Sequence, residues 1–210
     1  MTPSPATRPR RKRAGQYHHG DLRRALLEEA LRTIHAGGVD QLTLRGIGQK
    51  LGVSRTALYR HFSDKQALLA GVGREGFRML RLALTSAWEQ HGRGREGFEA
   101  MGMAYVRFAV AHPSHYRVMF GRFIESCSKD AEFVQEASAA FQVLVDSLVE
   151  RQRTGLVRRD DPLLLARFVW SVVHGIAMLV IDGQLRGVDE RGETLNSYAV
   201  ERIRDAIKAA

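Results

Sequence analysis

The sequence predicts an all-α fold: an N-terminal three-helix unit containing a helix-turn-helix, followed by a C-terminal helical body. Three observations predict it. Apolar residues recur at three- and four-residue steps along most of the chain, the mark of one-sided helices. Glycine pairs, prolines and capping residues punctuate those stretches where helices stop and start. No alternating strand pattern of useful length is present, and no internal repeat.

The elements follow in order. Residues 1–16 are rich in Pro, Arg, Thr and Ala and carry Arg8, Arg10, Arg11, Lys12 and Arg13 with no acid among them. Such a segment cannot bury enough apolar surface to offset its ordering entropy, so a flexible basic tail is expected. Leu22, Ala25, Leu26, Ala30, Leu31 and Ile34 make one apolar stripe, and Gly37-Gly38 ends that first helix. Thr43 suits the cap of a second helix running to about Leu51. Gly52-Val53-Ser54 reads as a turn, with Ser54 capping a third helix that ends near His61. Ser63-x-x-Gln66 has the pattern of a capping box and opens a long fourth helix toward Glu89. Gly92-Arg93-Gly94 breaks the chain. Further helices are expected at about 96–111, 113–121, 130–154, 161–186 and 190–208, with Pro113 and Pro162 in first-turn positions. The resulting division is a tail over 1–16, a helix-turn-helix domain over 17–65 and a sensing and dimerisation body over 66–210.

Composition narrows the function. The chain has 210 residues, 44% apolar and 26% charged, as in ordinary globular proteins. Its longest apolar run, Phe168 to Ile181, is interrupted by Ser171 and His174 and is too short for a bilayer, and no apolar segment follows the basic N-terminus as in a signal peptide. The single cysteine, Cys127, forbids an intramolecular disulfide, reads as an inert thiol and suits a reducing, cytoplasmic setting. Net charge is +9, and its distribution is uneven: residues 1–65 hold 13 Lys/Arg against 5 Asp/Glu, while residues 66–210 hold 19 against 18. A polyanion-binding surface is therefore expected in the first third alone.

The segment Leu42 to Phe62 is a helix-turn-helix pattern. Ile47, Leu51 and Val53 supply the apolar face that fixes two helices at a steep angle, and Gly52 permits the sharp turn between them. Ala57 lets the second of these helices come close, and Leu58 and Phe62 anchor it. The other face presents Ser54, Arg55, Thr56, Tyr59, Arg60 and His61, side chains suited to base edges and phosphates. Thr43-Leu44-Arg45, Gly52-Val53-Ser54 and Leu58-Tyr59-Arg60-His61-Phe62-Ser63-Asp64-Lys65, with Tyr17 to Arg23 before them, resemble the tetracycline-repressor (TetR) family of transcriptional regulators. His112-Pro113 through Phe120, together with Trp170-Ser171-x-x-His174-Gly175, is similar to a subgroup of that family named for its Trp-His-Gly motif. The resemblance implies a dimer on a palindromic operator in double-stranded DNA, usually as a repressor, and a small-molecule effector bound in the body. It implies groove and phosphate contacts at Thr43 and Arg45, base reading by Arg55 and Thr56, and phosphate clamps at Tyr59, His61 and Lys65. Gly46 and Gly48 depart from the family's usual second helix, where each costs roughly 1 kcal/mol relative to Ala.

Other chemistry is poorly supported. His18-His19 and His112-x-x-His115 lack a carboxylate or cysteine at ligand spacing, so no metal site is expected. No phosphate loop, nucleophile elbow or zinc-protease motif occurs, and neither a catalytic set nor a cofactor is expected. In the body, Met and aromatic residues mostly read as core, yet such side chains between helices can also wall an apolar ligand. Phe108, Tyr116, Phe120 and Trp170 are the candidates. On the penultimate helix, Phe168, Ser171, Val172, Gly175 and Leu179 share a stripe with Leu164 and Asp182; Ser171 and Gly175 allow close approach of a partner helix. Leu195, Tyr198, Ile203 and Ile207 on the last helix are expected to complete a four-helix dimer bundle. A ligand-independent architectural DNA-binding protein is the alternative, and a cavity in the body would speak against it. No membrane partner is expected.

Overall fold

The structure is a computed structural model and describes residues 19–123, 127 and 129–209. The basic tail over 1–16 lies outside them. Among the described residues there are nine α-helices and one short 3-10 turn: α1 (His19–Gly37), the turn Val39–Gln41, α2 (Leu44–Leu51), α3 (Arg55–Tyr59), α4 (Lys65–Gln90), α5 (Arg95–Ala111), α6 (Pro113–Phe120), α7 (Ala131–Arg153), α8 (Pro162–Ile181) and α9 (Glu193–Ile207). The only extended pairing among them is an isolated bridge between Val157 and Lys208.

The helices form where the apolar periodicity places them. Leu22, Leu26, Ala30 and Ile34 are buried along one face of α1, and Gly38, at φ 79°, stops the helix where an L side chain would be strained. Helix α4 is the spine. Leu68, Leu69 and Val72 at its start pack with α1, and Phe77, Leu80, Leu84 and Trp88 continue into the body against α5, α6 and α7. One continuous core therefore runs from the helix-turn-helix into the body.

Several boundaries differ from the sequence expectation. The cap of α4 is Asp64, whose carboxylate accepts from Ala67 N at 2.8 Å, while Ser63 only donates to Asp64. A carboxylate complements the positive helix terminus better than a hydroxyl, so the start moves one residue on. Helix α3 stops at Tyr59, with Arg60 and His61 in a closing turn. Helix α8 stops at Ile181 instead of near 186, because Gly183 and Gly187 take φ 70° and 77° in the loop that follows. Helix α9 starts at Glu193 behind Gly192.

Helix α8 also corrects the reading of apolar length. Starting at Pro162, it has 20 residues, and its most apolar 18-residue window has a mean hydropathy of 2.0, enough by length and composition to cross a membrane, with only 33% of that window buried. The run Leu163 to Ala166 lies upstream of Arg167, which hid it from a count beginning at Phe168. Cys127 is fully buried, and burial with nearby Asp130 pushes its thiol up to about 11, so it is a thiol at neutral pH.

Candidate nucleic-acid interface and apolar cavity

The reader is held by two caps and three apolar anchors. Thr43 Oγ1 accepts from Gly46 N at 3.1 Å and Ser54 Oγ accepts from Ala57 N at 3.2 Å. Ile47, Leu58 and Phe62 are buried beneath. Gly52 sits at φ 66° in the turn. Gly48 has a packing reason: a Cβ there would stand 3.0 Å from Leu58 Cδ1, so its absence lets α3 close onto α2, and α2 runs unbroken through both glycines.

The outward face carries the expected set. Thr43, Arg45, Ser54, Arg55, Thr56, Tyr59 and Arg60 are exposed, and His61 and Lys65 are half-buried at its edge. Tyr59 is 45% exposed, and the Arg55 guanidinium lies 5.5 Å from its ring centroid. Lys65 Nζ lies 5.9 Å from the ring of Phe123, and Arg122 beside it pairs with Asp40. Sequence reasoning left Lys50 unassigned. Its exposed ammonium lies 3.1 Å from both Glu29 and Thr33. Burial alone would raise the Glu29 carboxyl; hydrogen bonds from Arg32 and Lys50 outweigh it and hold the group below its ordinary range. That knot fastens α2 to α1.

The body holds an apolar cavity of about 310 Å³ between α4, α5, α7 and α8. Of the four residues predicted as walls, Phe120 and Trp170 line it. Phe108 and Tyr116 are buried but do not: Phe108 packs on the ring of His112, and Tyr116 stands behind the wall. Tyr105, Met101, Phe141 and Phe77 line it in their place, with Arg167 among the lining residues as its one charged side chain. Their residue types alone mark most of the body's Met and aromatic side chains as core but do not say which of them border a void.

Behind the wall lies a polar cluster. Tyr105 Oη receives the Tyr116 hydroxyl and Trp170 Nε1, each at 2.9 Å. His174 Nδ1 is 2.7 Å from Tyr116 Oη and 3.2 Å from Tyr105 Oη. Burial pushes Tyr105 up to about 12 and Tyr116 further up, and lowers His174, so all three are neutral at physiological pH. Elsewhere, burial and the neighbouring His112 bring His115 down to about 4. Among the described residues no group of three His, Cys, Asp or Glu side chains is placed to share a metal ion.

The predicted dimer stripe faces outward on α8. Leu164 is 61% exposed and Phe168 47%; Ser171, Gly175 and Leu179 are exposed and Val172 half-buried. Ser171 Oγ donates to Arg167 O of its own helix at 2.7 Å, leaving a smooth surface. On α9, Tyr198 is exposed, but Ile203 and Ile207 are buried within the chain. They belong to the intrachain core, one helical face away from Tyr198.

Comparison with known proteins agrees with this geometry. Residues 26–72 match the pattern of bacterial regulatory proteins of the tetR family, and residues 98–203 match the tetracyclin repressor-like C-terminal domain. The chain is 28% identical over 193 residues to the HTH-type transcriptional repressor AcnR of Corynebacterium diphtheriae, covering 89% of each protein. It is 36% identical over 149 residues to an HTH-type transcriptional repressor of Mycobacterium tuberculosis, covering 69% of this chain and 73% of that one. A solved protein of unknown function from a Rhodococcus species superposes with a TM-score of 0.81 at 33% identity, covering 91% of this chain and 98% of the other.

Proposed function

The chain belongs to the TetR family of bacterial transcriptional regulators, and from that premise we propose that it is a homodimeric, cytoplasmic repressor released from a palindromic operator by a small apolar effector. The observation that carries this reading is that one rigid helix serves both ends. Helix α4 leaves the reader at its Asp64 cap and supplies Phe77, Leu80 and Leu84 to the cavity wall. Its 26 residues span about 39 Å at 1.5 Å per residue. A small tilt at the cavity is thus a larger displacement at α3.

The energetics suffice. Two α3 helices in one dimer must meet half-sites roughly 34–36 Å apart, so a shift of a few ångströms spoils the register. Moving a two-state equilibrium from 99:1 to 1:99 takes about 5.5 kcal/mol. An effector that buries roughly 200 Å² more apolar surface in one body state than in the other supplies about 5 kcal/mol, at about 25 cal/mol per Å². An architectural DNA-binding protein has no use for such a cavity, which favours sensing. The exposed face of α8 suits a second copy better than a bilayer, since Arg167 at membrane depth would cost about 2.5–3.5 kcal/mol. The test is a footprinted operator titrated with a panel of apolar compounds. At least one is expected to release the DNA; release by none overturns the effector half of the proposal.

In this reading Arg55 and Thr56 read bases from α3, with Arg45, Tyr59, Arg60, His61 and Lys65 on the backbone and Thr43 and Ser54 as caps at the groove. Lys65→Ala is expected to weaken operator and unrelated DNA alike and to lower the slope of log K against log salt by about 1. Binding measured across a salt series checks this, and an unchanged slope removes Lys65 from the interface.

A further inference from the structure

Resting on the reading of the cavity as the effector site, we propose that its effector is an amphiphilic anion: an apolar body inside the cavity and one carboxylate that stays at the mouth beside Arg167. The burial of the lining residues locates that mouth. On α4 and α5 the walls Phe77, Leu80, Leu84, Met101 and Tyr105 are closed off from solvent. On the α7 and α8 side Phe141, Leu144 and Trp170 are half-buried, and Arg167 is exposed. A residue that borders the void and also meets water stands where the two join. The cavity therefore opens along the seam between α7 and α8, where the rings of Phe141 and Trp170 meet edge to face at 6.0 Å.

Arg167 is the one permanently charged residue of α8, between Pro162 and Ile181. Among the described residues no carboxylate pairs with its guanidinium. At about 100° per residue, it falls between the outward stripe at Ser171 and the cavity-lining Trp170. A guanidinium is always charged and carries five N–H donors, so its ability to meet an oxyanion depends on no assigned proton. The most apolar helix of the chain thus places its single fixed charge at the rim of the most apolar cavity.

This arrangement divides the ligand in two. The walls favour hydrocarbon in proportion to the apolar area removed from water. They reject a charge, which would be stripped of its hydration among them. At the mouth a carboxylate keeps its water and meets a cation, whereas an ammonium meets repulsion. At about 30 Å³ per water-sized group, the cavity of about 310 Å³ holds a body of roughly ten carbon atoms. An ion pair at so exposed a site adds a factor of up to about five in affinity. The walls therefore set how tightly a compound binds, and Arg167 sets which end of it faces out.

The test uses the full chain and three probes of one chain length: octanoate, octan-1-ol and octylammonium. Calorimetry at low salt is expected to place octanoate about fivefold above octan-1-ol, with octylammonium the weakest. Arg167→Gln should remove the octanoate advantage and leave octan-1-ol binding in place. Arg167 is exposed, so the substitution is expected to leave the fold intact. Should it not, a salt series on the unaltered protein still decides, and added salt is expected to narrow the octanoate advantage toward parity. Equal binding of octanoate and octan-1-ol at low salt, an advantage that survives Arg167→Gln or added salt, or tightest binding of octylammonium overturns the proposal while leaving the cavity a ligand site. No binding by any of the three overturns the effector-site reading and this proposal with it.

Discussion

Gly175→Phe is expected to leave the protomer folded and to remove high-affinity operator binding. Position 175 is on the exposed stripe of α8, and a Cβ built there would meet nothing within 4 Å. A side chain therefore grows into open space, and replacing an interior helical glycine recovers up to about 1 kcal/mol of helix propensity. Nothing in the isolated chain opposes the change. The partner does. The stripe joins small positions, Ser171 and Gly175, to flanking Phe168 and Leu179, a surface on which a second helix can come close. A phenyl ring at the closest point forces the helices apart and strips contact from both copies at once, because a two-fold interface repeats every change. Each half-site is then bound singly, without the effective concentration that linkage provides, and operator affinity is expected to fall by about 10²–10⁴-fold. Sedimentation reads the mass and a mobility-shift titration reads the affinity. A tight-binding dimer from this variant places the interface elsewhere.

The extent to which such a variant could have been chosen from the sequence alone follows from what periodicity encodes. A helix that buries one face repeats its apolar residues at fixed steps, so α1, α2, α4 and α8 were visible, as was the turn at Gly52, where only a left-handed residue fits. The outward set from Arg45 to Arg60 was legible for the same reason, since polar residues on the far face of an anchored helix tend outward, while His61 and Lys65 are half-buried at its edge. What periodicity leaves open is competition between near-equivalent local choices. Ser63 and Asp64 both suit a cap, and only the carboxylate's match to the helix terminus separates them. Ile203 and Tyr198 both look like interface residues on α9, and only tertiary packing turns the first inward. The cavity was the least legible feature. A void is a property of what several helices fail to fill, so Tyr116 and Tyr105, equally aromatic and inward, could not be ranked until α5, α6 and α8 were brought together.

Leu58→Ala is expected to unfold the reader while the body stays folded. Helix α3 has 5 residues, far too few to be helical by itself, where about 12–15 are needed for even marginal stability. It persists because Ser54 caps its start and Leu58, 2% exposed, fixes it from below. Leu58 meets α2 where Gly48 has no side chain, so the truncation leaves a cavity that α2 cannot refill. Loss of a buried leucine to alanine costs about 2–5 kcal/mol. A whole domain holds only about 5–15 kcal/mol, and the first three helices share a smaller core than the body. The cost falls on the weaker part. Phe62, which packs against Gly71 of α4, still ties the chain to the spine, so α4 and the body keep their contacts. Hydrogen exchange should show residues 44–62 losing protection while α5, α7 and α8 keep theirs. Specific operator binding should vanish, since Arg55, Thr56 and Tyr59 no longer share one face, while an apolar probe still binds the body. Retained protection in α2 and α3, or operator binding within a few-fold of the parent, would contradict the account of Leu58 as the anchor of the recognition helix.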